Sequence, residues 1–143
     1  MAIRVEFHPV SADGGAHALP ATVLAACMSA LAEHQPVLIL ALDAGQARTL
    51  DQWLWQGDGF LAHCLADDPD HEVAQAVIAA PGQAMPPRPC LVNLRTQAVD
   101  PAASPGCQRL IEVIPGDAAG KQAARERWRA YLQYGLKPVM IDR

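Results

Sequence analysis

Lys121, Arg125 and Arg129 recur at every fourth position of the sequence, and Trp128 stands beside the last of them. On a helix turning about 100° per residue, such residues stack one above another along one side. Ala124, Trp128, Tyr131 and Leu132 then form an apolar arc, with Arg125, Arg129 and Lys121 along one border and Arg127 flanking the other. Guanidinium and ammonium groups hold carboxylates, while an indole offers an apolar wall and a π face. The pattern suits non-covalent capture of a ligand that is acidic along its length and apolar at its end. It also suits an ordinary amphipathic helix that packs its Trp inward and lets the arginines reach into water. The spacing alone leaves both readings open.

Other candidates for chemistry are thinner. The segment 114–122, IPGDAAGKQ, follows a strand-like run and opens a helix, as a phosphate loop does. A Walker loop needs four residues between its glycines and a Ser or Thr after the lysine. Here Gly116 and Gly120 enclose three, and Gln122 follows Lys121, so a nucleotide-dependent enzyme using 116–121 is the weaker alternative. No GxGxxG follows the first strand. His63, Cys64 and His71 match no zinc spacing, and a helix-turn cysteine and loop histidines explain them. Asp67, Asp68, Asp70 and Glu72 read as a solvated loop around Pro69. No nucleophile–base constellation emerges, so no catalytic residue, metal or cofactor is assigned.

Trp53 and Trp55 are more informative. Two residues apart on a helix, they point about 200° apart, so they cannot both face a core. Trp53 lies nearer the direction of Leu50, which leaves Trp55 at least partly exposed and close to Phe60. Exposed aromatics on an acidic domain without catalytic groups suit a protein interface, and equally a Trp55 that covers a neighbouring loop.

These residues need a scaffold. Alternation at Ile3, Val5 and Phe7 predicts a short half-buried strand over 3–7. Helical spacing predicts a helix over 19–34, ended by Pro36. The continuous apolar run 37–42, VLILAL, predicts a strand covered on both faces. A second helix is expected over 44–55, then a turn and irregular stretch over 57–66. Strands are expected over 76–80, 90–94 and 109–114, with loops between them. Asp117 as N-cap and Gly135 as terminator delimit a last helix over 117–134, followed by an edge strand over 139–141. Strands alternating with helices predict an α/β fold: a mainly parallel sheet with helices on both faces, in a nucleotide-binding-like (Rossmann or P-loop-like) topology without a functional nucleotide site.

Composition narrows the class. The 143 residues fit a single domain over 1–143, and 51% hydrophobic residues suffice for a core. A net charge of −4 has the wrong sign for tracking a nucleic-acid backbone, so DNA is expected to be reached only indirectly, through a protein partner or one local basic patch. The four cysteines are scattered without a CxxC, as expected of reduced, mostly buried thiols in the cytoplasm. Neither a signal peptide nor an apolar segment of membrane-spanning length is expected.

Taken in order, LDQWLW at 50–55, FLAHCL at 60–65, VNLR at 92–95, EVIP at 112–115 and above all KQAARERWRAYLQYG at 121–135 resemble the chi subunit of bacterial DNA polymerase III. The resemblance implies a non-catalytic accessory subunit of a replicative polymerase, with roles in DNA replication and repair. One of its surfaces docks the psi subunit of the clamp loader. Another captures the acidic C-terminal tail of single-stranded DNA-binding protein, a peptide ending in Phe. The tail site carries over to Lys121, Arg125, Trp128 and Arg129, with Ile114 lining the apolar end, and the psi surface to Trp55 and Phe60. An adaptor for another partner, such as a repair helicase, would use the same two aromatics.

Overall fold

A computed structural model describes residues 3–11, 15–56 and 61–141. Inside the sheet lies Val37–Leu40 (β2), four residues buried on both faces, as a continuous apolar run requires. Around it the described strands form one all-parallel sheet of seven. With Arg4–Pro9 as β1, His63–Leu65 as β3, Ala76–Ala79 as β4, Cys90–Asn93 as β5, Arg109–Ile114 as β6 and Val139–Met140 as β7, the order is β3-β4-β2-β5-β6-β1-β7. Helices Ala18–Ala32 (α1) and Ala44–Gln56 (α2) cover one face, packing Val23, Ala26, Cys27, Leu50 and Leu54 on Val37, Ile39, Ile78, Val92 and Ile111. Helix Ala118–Gln133 (α3) covers the other over β6 and β1, with Ala124 and Tyr131 against Val5, Phe7 and Leu110. The expected α/β architecture with helices on both faces is present.

Several expectations are corrected. Strand β1 is buried on both faces rather than half-buried, because Glu6 and His8 are also enclosed. A cluster of charge makes this possible: Arg109 donates from Nη2 to Glu6 at 2.8 Å and from Nη1 to Glu33 of α1 at 3.0 Å, and Arg4 bridges both glutamates. Burial opposes ionisation of Glu6, but Arg109 and His8 more than offset it and hold its carboxyl below the usual range. The segment expected to be irregular contains strand β3, which pairs with β4 from His63↔Ala76 to Leu65↔Ile78. His63 and Cys64 are therefore strand residues, not a loop histidine and a helix-turn cysteine. Three residues are too few to show a period of two, so the strand is fixed by its neighbour.

By length and composition Gly15–Ala32 could cross a bilayer, with 18 residues at a mean hydropathy of 1.4, against the expectation of no such segment. Its apolar residues instead serve the core beneath α1, where Val23, Ala26, Cys27 and Ala30 are fully buried. The four cysteines are free, three of them buried, and burial raises the Cys90 thiol to about 12 and that of Cys107 to about 11. Such thiols stay protonated and inert at neutral pH.

Candidate functional site

Helix α3 is set in place at both ends by local chemistry. Asp117 accepts a hydrogen bond from the Gly120 N–H at 3.1 Å, which caps the first turn. At the other end Gly135 takes φ +81°, with Gly135 N–H donating to Leu132 O and Leu136 N–H to Tyr131 O, both at 3.0 Å. This paired closure needs a left-handed residue after the helix, which glycine supplies without strain. Gly120 has a different reason to be glycine. A Cβ there would lie 2.5 Å from Pro115 Cβ and 2.5 Å from Asp117 Oδ1. Close packing of the strand-to-helix turn explains the glycine, and a carboxylate already occupies the helix N-terminus where a phosphate would sit.

The rotation of α3 is set by a buried carboxylate. Glu112 on β6 is fully enclosed and receives Arg127 Nε at 2.8 Å, Asn93 Nδ2 at 2.9 Å and the Tyr131 hydroxyl. Arg127 also reaches the Thr96 and Val113 carbonyls, and Tyr131 Oη accepts from Val99 N–H at 2.9 Å. Burial pushes the Glu112 carboxyl upward despite Arg127, and pushes the Tyr131 hydroxyl up as well. The buried line of the helix is thus Ala124–Arg127–Tyr131. Arg127 does not border the aromatic stripe in solvent, as expected; it is 4% exposed. Leu132, expected on the apolar arc, is 54% exposed. Arg127 lies about 60° from Ala124 on one side and Leu132 about 80° on the other, so drawing Arg127 inward rolls Leu132 out.

The same roll presents the remaining expected residues to one hollow. Phe7, Pro9, Ile114, Lys121, Ala124, Arg125, Trp128, Arg129 and Met140 line a cavity of about 480 Å³. It opens at the carboxyl ends of β6, β1 and β7, where ligands enter parallel sheets. Trp128 leans on Phe7 with ring centroids 4.9 Å apart and is only half-buried, while small Ala124 leaves the floor open. Lys121, Arg125 and Arg129 are exposed along the rim and, among the described residues, form no ion pair; Arg125 touches only the neutral Gln122 Oε1, at 3.3 Å. The structure therefore gathers all five residues expected at the tail site. Sequence reasoning missed Phe7, Pro9 and Met140, which reach the pocket only because β1 lies between β6 and β7.

A second cavity, of about 440 Å³, lies over β2 and β5 on the same face. Its two cations are already engaged: Arg88 donates to the Ala74, Gln75 and His71 carbonyls, and Arg95 to those of Ala41 and Ala79.

Trp55 stands at the opposite edge of the sheet. It is 57% exposed and lies on His63 of β3, with ring centroids 4.3 Å apart. The ring nitrogens of His63 lie 2.7 Å from Leu61 O and 3.1 Å from Asp51 O. Trp53 is half-buried and donates to His17 Nδ1 at 3.0 Å, as its inward direction predicts. Phe60 lies outside the described residues.

The family model described as "DNA polymerase III chi subunit, HolC" matches residues 3–139. The chain belongs to that family. A Pseudomonas aeruginosa relative, "DNA polymerase III subunit chi", is 34% identical over 138 residues, covering 92% of this chain and 91% of its own. The Escherichia coli protein of the same name is 35% identical over 103 residues, covering 70% and 69%. Among solved structures, the C-terminal domain of the DEAD-box protein Dbp5 aligns with a TM-score of 0.54 at 13% identity, over 97% of this chain and 91% of that one. At that identity the likeness speaks for the fold alone, and it is the nucleotide-binding-like topology expected for a chi-family chain.

Proposed function

We propose that this chi-family chain is a non-catalytic adaptor of the DNA polymerase III holoenzyme. The α3 pocket holds the acidic C-terminal tail of single-stranded DNA-binding protein, with the terminal Phe against Trp128, Ile114 and Phe7. The opposite edge, around Trp55, docks the psi subunit of the clamp loader. One observation carries the reading: three cations without carboxylate partners among the described residues rim an apolar hollow of about 480 Å³ lined by the rings of Phe7 and Trp128. Charge on the rim steers encounter and makes binding salt-sensitive, while burial of the terminal ring provides most of the affinity. Six strand spacings separate the two edges, about 25–30 Å, so both partners can be held together. Tethering of this kind raises the local concentration of the polymerase on protein-coated template.

Calorimetric titration with a tail-like peptide, ten residues long, acidic and ending in Phe, tests the assignment. Binding should weaken as salt rises and when the terminal Phe is replaced by Ala. Equal affinity for the Phe and Ala forms would remove the pocket from the mechanism.

A further inference from the structure

Strand β7 is the edge of the sheet beside the pocket, and both its residues are about half exposed. Its register with β1 is Glu6↔Val139 and Phe7↔Met140, and Ile141 N–H donates to Phe7 O at 2.9 Å. Backbone groups of a strand alternate sides. With Val139 and Ile141 facing β1, the N–H and C=O of Met140 face outward, where no described strand pairs with them. The Met140 side chain meanwhile lines the pocket, so anything seated there lies within reach of this open backbone pair.

The cations point the same way. Arg127 is held toward Glu112 and Thr96, on the β5 side of α3. Arg125 and Arg129 lie about 160° from it around the helix, and therefore face the β7 side. Lys121, Arg125 and Arg129 follow one another at about 6 Å, one helical turn, close to the ~6.6 Å between alternate residues of an extended chain. A strip of sheet edge thus runs beside a matching row of positive charge.

We infer that the acidic peptide of the α3 pocket binds extended, as an additional strand on β7, exchanging backbone hydrogen bonds with Met140 while its alternate carboxylates meet Lys121, Arg125 and Arg129. The inference rests on the tail-binding reading and adds a mode to it: apolar end in the hollow, main chain on the sheet edge.

Two sets of titrations test it. The first uses the ten-residue acidic peptide ending in Phe, with single amide-to-ester replacements walked along it. One position should weaken binding by about three- to tenfold, the size of one or two backbone hydrogen bonds, and its immediate neighbours should not. The second compares Met140→Pro with Met140→Ala: both take the side chain out of the pocket, but only proline, which an edge strand tolerates, also removes the outward N–H. The two variants should bind the last three residues alone alike, while Met140→Pro should weaken the ten-residue peptide further than Met140→Ala does. Ester replacements that are uniformly silent, with Met140→Pro behaving as Met140→Ala, would overturn the added strand while leaving the pocket assignment intact. Failure of both peptides to bind the wild-type chain would remove the pocket assignment and the strand with it.

Discussion

Arg127 and Arg129 are two residues apart on one helix and have opposite fates. Arg127 is enclosed, its guanidinium shared among Glu112 and two backbone carbonyls. Arg129 stands in solvent on the rim of the α3 pocket without an ion-pair partner among the described residues. The difference is not in the residue but in what faces it. Glu112 sits at the centre of the sheet, where a lone carboxylate would be very costly. Arg127, together with Asn93 and Tyr131, makes it tolerable, and in doing so sets the rotation of α3. The free cations are aimed by the paired one.

Breaking the buried side should have the largest effect. Arg127→Ala leaves Glu112 enclosed without its cation and should cost about 3–5 kcal/mol of folding stability, read by urea denaturation. Breaking the open side should do the reverse. Arg125→Ala should cost about 1.5–3 kcal/mol of tail-peptide binding, the scale of a lost charged hydrogen bond, and shift stability by less than about 0.5 kcal/mol. If Arg125→Ala destabilised the fold as much as Arg127→Ala, the division of α3 into a holding side and a binding side would fail.

Gly120→Ala sharpens the comparison at the helix start. Alanine is the better helix former, yet its Cβ would press on Pro115 and Asp117. A loss of about 1–3 kcal/mol is expected from overpacking, with no new response to ATP and Mg²⁺ in thermal shift. The smallest effect concerns the two buried glutamates. Arg109 and His8 hold the Glu6 carboxyl below the usual carboxylate range, so the unfolded chain binds more protons in that window and stability falls as pH drops through it. Glu6→Gln should flatten the loss of stability between about pH 5 and 3 relative to wild type. Glu112 shifts upward, so its contribution slopes the other way, and Glu112→Gln should not flatten that loss.

Much of this was legible in the chain because the signals were local. The run at β2 is apolar on both faces, and α3 carries its own cap at Asp117 and its own stop at Gly135. The spacing of Lys121, Arg125, Trp128 and Arg129 put them along one side of α3, but not the hollow beside them, which depends on strands distant in sequence. What escaped depends on partners distant in sequence. Strand β3 is held by pairing with β4, and Arg127 turns inward because Glu112 waits on another element. Phe7, Pro9 and Met140 enter the pocket through strand order, which no periodicity encodes.

Strand β1 is clasped between β6 and β7. The floor of the pocket therefore comes from the early part of the chain and its walls from the late part. During synthesis the hollow lacks its Met140 wall until β7 has emerged and paired with β1.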